Sequence, residues 1–233
     1  MIKACIFDLD GTIADTVASI ARAGNMVLEE FHLKPQPVEA YNYYAGDGID
    51  QTLKRALFDA GDRQGTRWEE GIPLIRKYFA QDPMYHVRPF SGMPETLQKL
   101  KEQGIFLAVC SNKPHEEAIY VTEAIYGKEI FDRIQGQTRE IPRKPAPDGA
   151  LRIAEELKVL PEECMYFGDT NTDMQTGRAA GMFTVGVTWG FRTRQELIEN
   201  HAMALIDAPE EILQLIHEKS KTPQQAAGHQ TCM

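Results

Sequence analysis

The chain has 233 residues, 42% of them hydrophobic, and its 34 acidic against 25 basic side chains give a formal charge of −9. That length holds one large domain or a core with a smaller insert, and the apolar content argues against general disorder. The negative charge excludes nonspecific attraction to nucleic acid or to an anionic membrane, so an anionic ligand needs local positive groups or a metal.

In chain order, the first apolar run, ACIF (4–7), stops abruptly at Asp8, Leu9, Asp10, Gly11 and Thr12. Carboxylates two apart on an extended strand point to the same side. From about 16 to 85 the pattern is helical. TVASIARAGNMVLEEFHL starts at Thr16 as a cap and repeats Val17, Ile20, Val27, Leu28 and Phe31 at helical spacing, and KPQP stops it. IDQTLKRALFDAG and WEEGIPLIRKYFA read as two more amphipathic helices, with no strand between them.

Further apolar runs follow at 105–110 (IFLAVC), 164–167 (CMYF), 183–188 (FTVGVT) and 202–206 (AMALI). Each is too short for a helix and too uniformly apolar for a half-exposed strand, which predicts a parallel sheet covered on both faces. The intervening MPETLQKLKEQG, DGALRIAEELK, NTDMQTGRAAG and APEEILQLIHEK carry acidic starts or glycine stops, as helices do. The expected architecture is a doubly wound α/β core (1–15 and 86–218), a helical insert (16–85) and a disordered tail (219–233).

Cys5, Cys110, Cys164 and Cys232 form no C-x-x-C pair, and the first three sit in or beside apolar runs, so buried thiols in a reducing compartment are expected. No leader pattern opens the chain and no run is long enough to span a bilayer, so a cytoplasmic location is the expectation.

Ligands of open α/β sheets bind at the carboxyl ends of the strands. Those ends carry Asp8 and Asp10; Ser111, Asn112 and Lys113; and Asp169 with Asp173 in GDTNTD. RKPAPDG adds Lys144 between two prolines. Three aspartates held together repel unless a cation intervenes, and hard oxygen ligands with room for water suit Mg²⁺. One carboxylate is then available as nucleophile and its neighbour as proton carrier, while Ser111 and Lys144 hold the transferred anion. Calcium loops are excluded, because Ser19 and Met174 stand where an EF-hand needs Glu and Gly. Cysteine-phosphatase, H-E-x-x-H and P-loop patterns are absent.

FDLDGT, VCSNKP, RKPAPDG and YFGDTNTD together resemble the four motifs of the haloacid dehalogenase superfamily of aspartate-nucleophile phosphatases, over nearly the whole chain to about residue 218. SGMPETLQKLKEQG and TWGFRTRQELIENHA resemble its phosphoglycolate phosphatase branch. The resemblance implies Asp8 as nucleophile and Asp10 as acid and base. It implies Mg²⁺ on the Asp8 side chain, the Asp10 carbonyl and Asp169, with Asp173 orienting the metal shell or Lys144. Ser111, Asn112, Lys144 and Thr12 form the implied phosphate set. The helical insert resembles the superfamily's small cap, whose loop Gly46, Asp47, Gly48 would approach the substrate, a small phosphorylated metabolite. Arg55 and Arg192 are each placed either to meet a substrate carboxylate or to lie on a solvated face. Two other readings use a similar constellation: a sugar-phosphate phosphomutase and a non-enzymatic phospho-accepting receiver module.

Overall fold

The computed structural model describes residues 1–220. β1 (Ala4–Phe7) leads through a tight turn to β2 (Ala14–Asp15), followed by α1 (Val17–Glu30), α2 (Tyr41–Tyr44), α3 (Ile49–Asp59) and α4 (Trp68–Gln81). β3 (Arg88–Pro89) returns the chain, and α5 (Met93–Glu102), β4 (Phe106–Pro114), α6 (His115–Tyr126) and β5 (Arg133–Gln137) follow. The last third holds α7 (Asp148–Leu157), β6 (Cys164–Gly168), α8 (Asn171–Ala179), β7 (Phe183–Val187), α9 (Arg194–Glu199), β8 (Ala204–Ile206) and α10 (Glu211–Ser220). α10 thus takes in the first two positions assigned to the tail, and positions from 221 on, Cys232 among them, lie outside the described residues.

The main sheet has the order β5-β4-β1-β6-β7-β8, with every neighbouring pair parallel. The central strands β1 and β6 are buried along their whole length because both faces are covered. Cys5 and Phe7 face a core with α5, α6 and α10, through Leu97, Val121 and Ile212. Ala4 and Ile6 face the other way, onto α7 through Ile153 and Leu157. Cys5, Cys110 and Cys164 are free and buried, as their surroundings predict.

Three strands are not visible in the hydrophobic pattern. β5 is the polar edge strand RIQGQ, where only one neighbour has to be satisfied. β2 and β3 form an antiparallel two-residue ribbon, Ala14 opposite Pro89 and Asp15 opposite Arg88, through which the chain leaves the core for the helices and comes back. Between them α1–α4 enclose their own apolar cluster, including Val27, Leu28, Tyr41, Leu53, Leu57 and Phe79. Thr16 occupies the N-cap position of α1, yet its hydroxyl makes no cap bond.

Strand order fixes where a ligand can go. After β1 the sheet grows first through β4 and β5 on one side, then through β6, β7 and β8 on the other. The crevice beyond the carboxyl end of β1, between β4 and β6, is therefore the switch point of the sheet.

Candidate active site

Three strand ends meet at that crevice. β1 delivers Asp8 and Asp10, β4 delivers Ser111, Asn112 and Lys113, and β6 delivers Asp169 at the mouth of α8, which carries Asp173. Carboxylate oxygens of Asp8, Asp169 and Asp173 lie within 4.8 Å of one another, all three residues buried. Gly11, at φ +84°, makes this approach possible: a Cβ there would stand 2.3 Å from Asp169 Oδ2.

Each carboxylate is oriented by named donors. Lys144 Nζ bridges Asp8 Oδ1 at 2.8 Å and Asp173 Oδ1 at 2.7 Å, from a side chain only 4% exposed. Asp8 Oδ1 also accepts the Leu9 N–H at 2.7 Å, and Asp8 Oδ2 has no hydrogen bond among the described residues. Asp173 Oδ2 caps α8, accepting from Thr170 Oγ1 at 2.7 Å and Thr170 N–H at 3.1 Å. Asp169 accepts from Thr12 Oγ1 and from the Phe191 N–H, both at 2.7 Å.

One ammonium does not neutralise three buried carboxylates. Burial, followed by the charge of Asp173, pushes Asp8 well above the ordinary carboxylate range and Asp169 up to about 7. Lys144 is driven the other way: burial alone would lower it, but Asp173 and Asp8 outweigh that and hold it protonated. The cluster therefore has a deficit of positive charge and an all-oxygen donor set, the chemistry that suits a hard divalent cation.

Above the carboxylates lies a cavity of about 30 Å³, bounded by Asp8, Asp10, Ser111, Asn112, Lys113 and Glu117 from the core. Ile20, Gly46, Gly48, Ile49, Thr52 and Phe79 close it from the helical side. The Asn112 side chain ties the walls together: its Nδ2 donates to the Gly46 and Lys144 carbonyls at 3.2 Å, and its Oδ1 accepts the Lys144 N–H at 2.9 Å. Lys144 reaches the carboxylates from beside this cavity, not from its lining.

Several expected residues are used differently. The Thr12 hydroxyl, assigned to phosphate, is spent on Asp169, and Thr12 does not line the cavity. Arg55, expected either to meet substrate or to lie on a solvated face, pairs with Asp47 and donates to the Tyr44 carbonyl at 2.8 Å, away from the cavity. Asp47 is occupied by Arg55 and by Thr172 Oγ1 at 2.8 Å, so of the Gly46, Asp47, Gly48 loop only the glycines border the cavity. The physical reason is proximity: Asp47, only partly exposed, has an arginine eight residues along the chain and the Thr172 hydroxyl across the fold within reach.

Lys113 was not singled out, although its Nζ holds both oxygens of Asp10 at 3.0 and 3.1 Å and lies 4.6 Å from the centre of the Phe79 ring. A signal was available. If the strand IFLAVC is continued through Pro114, period-two alternation sets Lys113 on the side of Ser111. Arg192, expected either to meet a substrate carboxylate or to lie on a solvated face, instead reaches from the core to the Asn42 carbonyl and, at 3.0 Å, the Ala45 carbonyl. Its neighbours complete a brace. Trp189 Nε1 donates to the Thr12 carbonyl at 2.9 Å, Gly190 packs where a Cβ would be 2.3 Å from Asp169 Cβ, and Phe191 enters the helical cluster. Residues 189–192 thus join the Asp169 carboxylate to the loop that carries Gly46.

A parallel sheet whose switch point gathers three aspartates, a buried lysine and a capped cavity defines a hydrolase of the aspartate-dependent α/β class. More specifically, this chain belongs to the haloacid dehalogenase-like hydrolase family, whose family model matches residues 5–187. It is 32% identical over 189 residues to the phosphoglycolate phosphatase of Aquifex aeolicus, covering 81% of this chain and 86% of that one. To the phosphoglycolate phosphatase of Neisseria meningitidis it is 33% identical over 192 residues, 82% of each chain. A crystal structure from Lactobacillus delbrueckii subsp. bulgaricus, provisionally described as a phosphoglycolate phosphatase, superposes with a TM-score of 0.87 at 30% identity, covering 92% of this chain and 98% of that one. A β-phosphoglucomutase from Clostridium difficile shares the fold at TM-score 0.76 and 23% identity. Among the described residues no helix is long and apolar enough to cross a membrane.

Proposed function

We propose that this chain hydrolyses phosphate monoesters of small metabolites, with Asp8 attacking phosphorus, and that 2-phosphoglycolate is the first substrate to try. The observation that carries the reading is the asymmetry of Asp8: Oδ1 is held by Lys144 and Leu9, while Oδ2 makes no hydrogen bond among the described residues and belongs to a residue lining the cavity. A carboxylate fixed by one oxygen and open at the other is placed as a nucleophile. The names of the relatives support the choice of ester.

Asp8, Asp169 and the Asp10 backbone carbonyl would hold Mg²⁺, with Asp173 fixing Lys144. The buried and undercompensated carboxylates fit that ion. Bound there, Mg²⁺ supplies charge neutralisation, which keeps Asp8 ionised and offsets negative charge on the phosphoryl oxygens.

Asp8 Oδ2 bonds to phosphorus as the bond to the ester oxygen breaks, giving an aspartyl phosphate and an alkoxide that takes its proton from Asp10. Asp10 then removes a proton from water, whose oxygen attacks phosphorus and restores the Asp8 carboxylate. Lys113 holds the Asp10 carboxyl in place between the two transfers. Ser111, the Asn112 backbone and Lys144 steady the transferred group. Ile20, Ile49 and Phe79 keep bulk water out.

The test is phosphate release from a panel of esters, including 2-phosphoglycolate, with Mg²⁺ and without any bisphosphate activator. The Asp8→Asn protein is the control. Release lost by on the order of 10⁴-fold or more in the control supports the assignment. Undiminished release in the control overturns it, and turnover that depends on a bisphosphate with little free phosphate points to a phosphomutase.

A further inference from the structure

A second chamber opens beside the phosphoryl cavity. Its free volume is about 510 Å³ and it shares Ile49, Asn112 and Pro114 with the cavity as a common wall. The cavity itself, at about 30 Å³, has no space for a leaving group of several carbons, so that group has to extend into neighbouring space. The chamber falls within the ~300–1,000 Å³ range of small-molecule sites.

Its charge is opposite to that of the chain. Three arginines, Arg76, Arg139 and Arg143, line it against a single acid, Asp50, in a protein whose formal charge is −9. Asp50 is committed mainly to Arg76, through paired contacts of 3.1 and 2.6 Å, and stands 3.8 Å from Arg143. Arg139 has no hydrogen-bond or ion-pair partner among the described residues. Arg139 is thus without a carboxylate partner among the described residues, and Arg143 has only the long 3.8 Å contact to an Asp50 already held by Arg76. Arg143 is tied to the chemistry by sequence, since the next residue is Lys144, and by space. A Cβ on Gly48 would lie 3.2 Å from an Arg143 terminal nitrogen and 3.6 Å from the Asn112 carbonyl. The loop from the helical side therefore folds directly over this arginine.

From this geometry we infer that Arg139 and Arg143 select leaving groups that carry a second anion, with the planar guanidiniums receiving a carboxylate or phosphate at the end remote from the bond cleaved. The inference rests on the hydrolytic reading for its substrates, but the chamber is a binding site in its own right. It transfers to Arg139 and Arg143 the role that Arg55 is prevented from taking by Asp47. 2-Phosphoglycolate is the smallest member of the class, and the chamber's size extends it to esters whose second anion is a phosphate several bonds further on. Guanidinium–phosphate contacts are charge-assisted and bidentate, which gives such a site discrimination as well as affinity.

The experiment compares fructose 1,6-bisphosphate with fructose 6-phosphate on the full chain, as wild type and as the Arg139→Gln/Arg143→Gln protein. The readout is the ratio of the two kcat/KM values. Wild type is expected to favour the bisphosphate by about tenfold or more, and the double variant to lose most of that preference through KM. A wild-type ratio near one, or a ratio unchanged in the variant, overturns the inference. In parallel, calorimetry of fructose 1,6-bisphosphate binding is run on Asp8→Asn with and without the two arginine changes. Binding that depends on the arginines, in a wild type that hydrolyses nothing, upholds the chamber while removing the hydrolytic reading. Binding indifferent to them overturns the chamber whatever the activity.

Discussion

The two walls of the cavity are built by opposite means. The core wall is charged: Asp8, Asp169, Asp173 and Lys144 are all at most 6% exposed, with Lys144 pairing Asp8 and Asp173 at 2.7–2.8 Å and Asp169 held by the Thr12 hydroxyl and the Phe191 N–H at 2.7 Å. The helical wall contributes Ile20, Ile49, Phe79 and the backbone of two glycines, while its own charges, Asp47 and Arg55, pair with each other outside the cavity. Buried charge costs several kcal/mol per ion unless it is matched, so a cluster left short of positive charge is kept for chemistry or a cation. Apolar cover costs nothing of the kind, and its contribution is shape and exclusion of water. One wall therefore concentrates charge and the other encloses, with residues 189–192 joining them.

The sharpest way to break this contrast is to remove the counter-charge of the core wall. Lys144→Met is expected to lower kcat by on the order of 10²–10³-fold, as loss of one anion-stabilising donor does. Its metal-free form should lose about 3–5 kcal/mol in denaturant titration, because the aspartates are left without their buried partner. Next in size, Asp10→Asn should reduce kcat by about 10²–10⁴-fold on alkyl phosphates. The deficit should be much smaller on p-nitrophenyl phosphate, whose leaving group departs without a proton, and an equal loss on both would deny Asp10 the acid role.

Two arginines then separate joint from enclosure. Arg192→Ala unfastens the Asn42 and Ala45 carbonyls from the core and should change kcat and KM together, by about tenfold, as lesions in a closure element do. Arg55→Ala removes a half-exposed ion pair and one hydrogen bond to the Tyr44 carbonyl, both outside the cavity; we expect about 1 kcal/mol of lost stability and little change in KM. If Arg55 proves the more damaging, the helical wall is reading substrate charge after all.

The core wall also gives the metal-free protein a pH dependence of its own. Asp169 is raised from 3.8 to about 7, so its folded form prefers the proton. The stability it contributes is complete below pH 3.8 and disappears as pH rises through about 7. Thermal melts in chelator should therefore fall in Tm between pH 5 and 8 more steeply for wild type than for Asp169→Asn. Mg²⁺ should restore wild type at the alkaline end.

Most of the core wall was legible because its signals are local. An apolar run of four residues that stops at two aspartates is a buried strand delivering charge to a sheet edge, and β1 ends where ACIF does. β5 was not legible, since RIQGQ carries no apolar pattern and is ordered by pairing with β4. α6 was also passed over: HEEAIYVTEAIY buries only Ala118, Val121 and Thr122, too narrow a stripe beside the stronger β4 signal. On the helical wall the helices were visible, but not the partners of their charges. Thr12, Asp47 and Arg55 have the right chemistry for a ligand, and each is occupied by a neighbour 157, 125 or 8 positions away.

What the sequence by itself determined is which side chains stand at the strand ends, three aspartates and a lysine among them, and that a parallel sheet would bring them to one edge. Those assignments follow from short-range rules, because alternation along a strand and turns after it are set by neighbours in the chain. What only the tertiary structure decided is the allocation of the remaining charges. Lys113 went to Asp10, Arg192 to the loop over the cavity, Arg55 to Asp47, and Arg139 and Arg143 to an open chamber. Long flexible cationic side chains reach whichever anion or carbonyl the packed elements bring within a few ångströms, and that distance is a property of the whole fold.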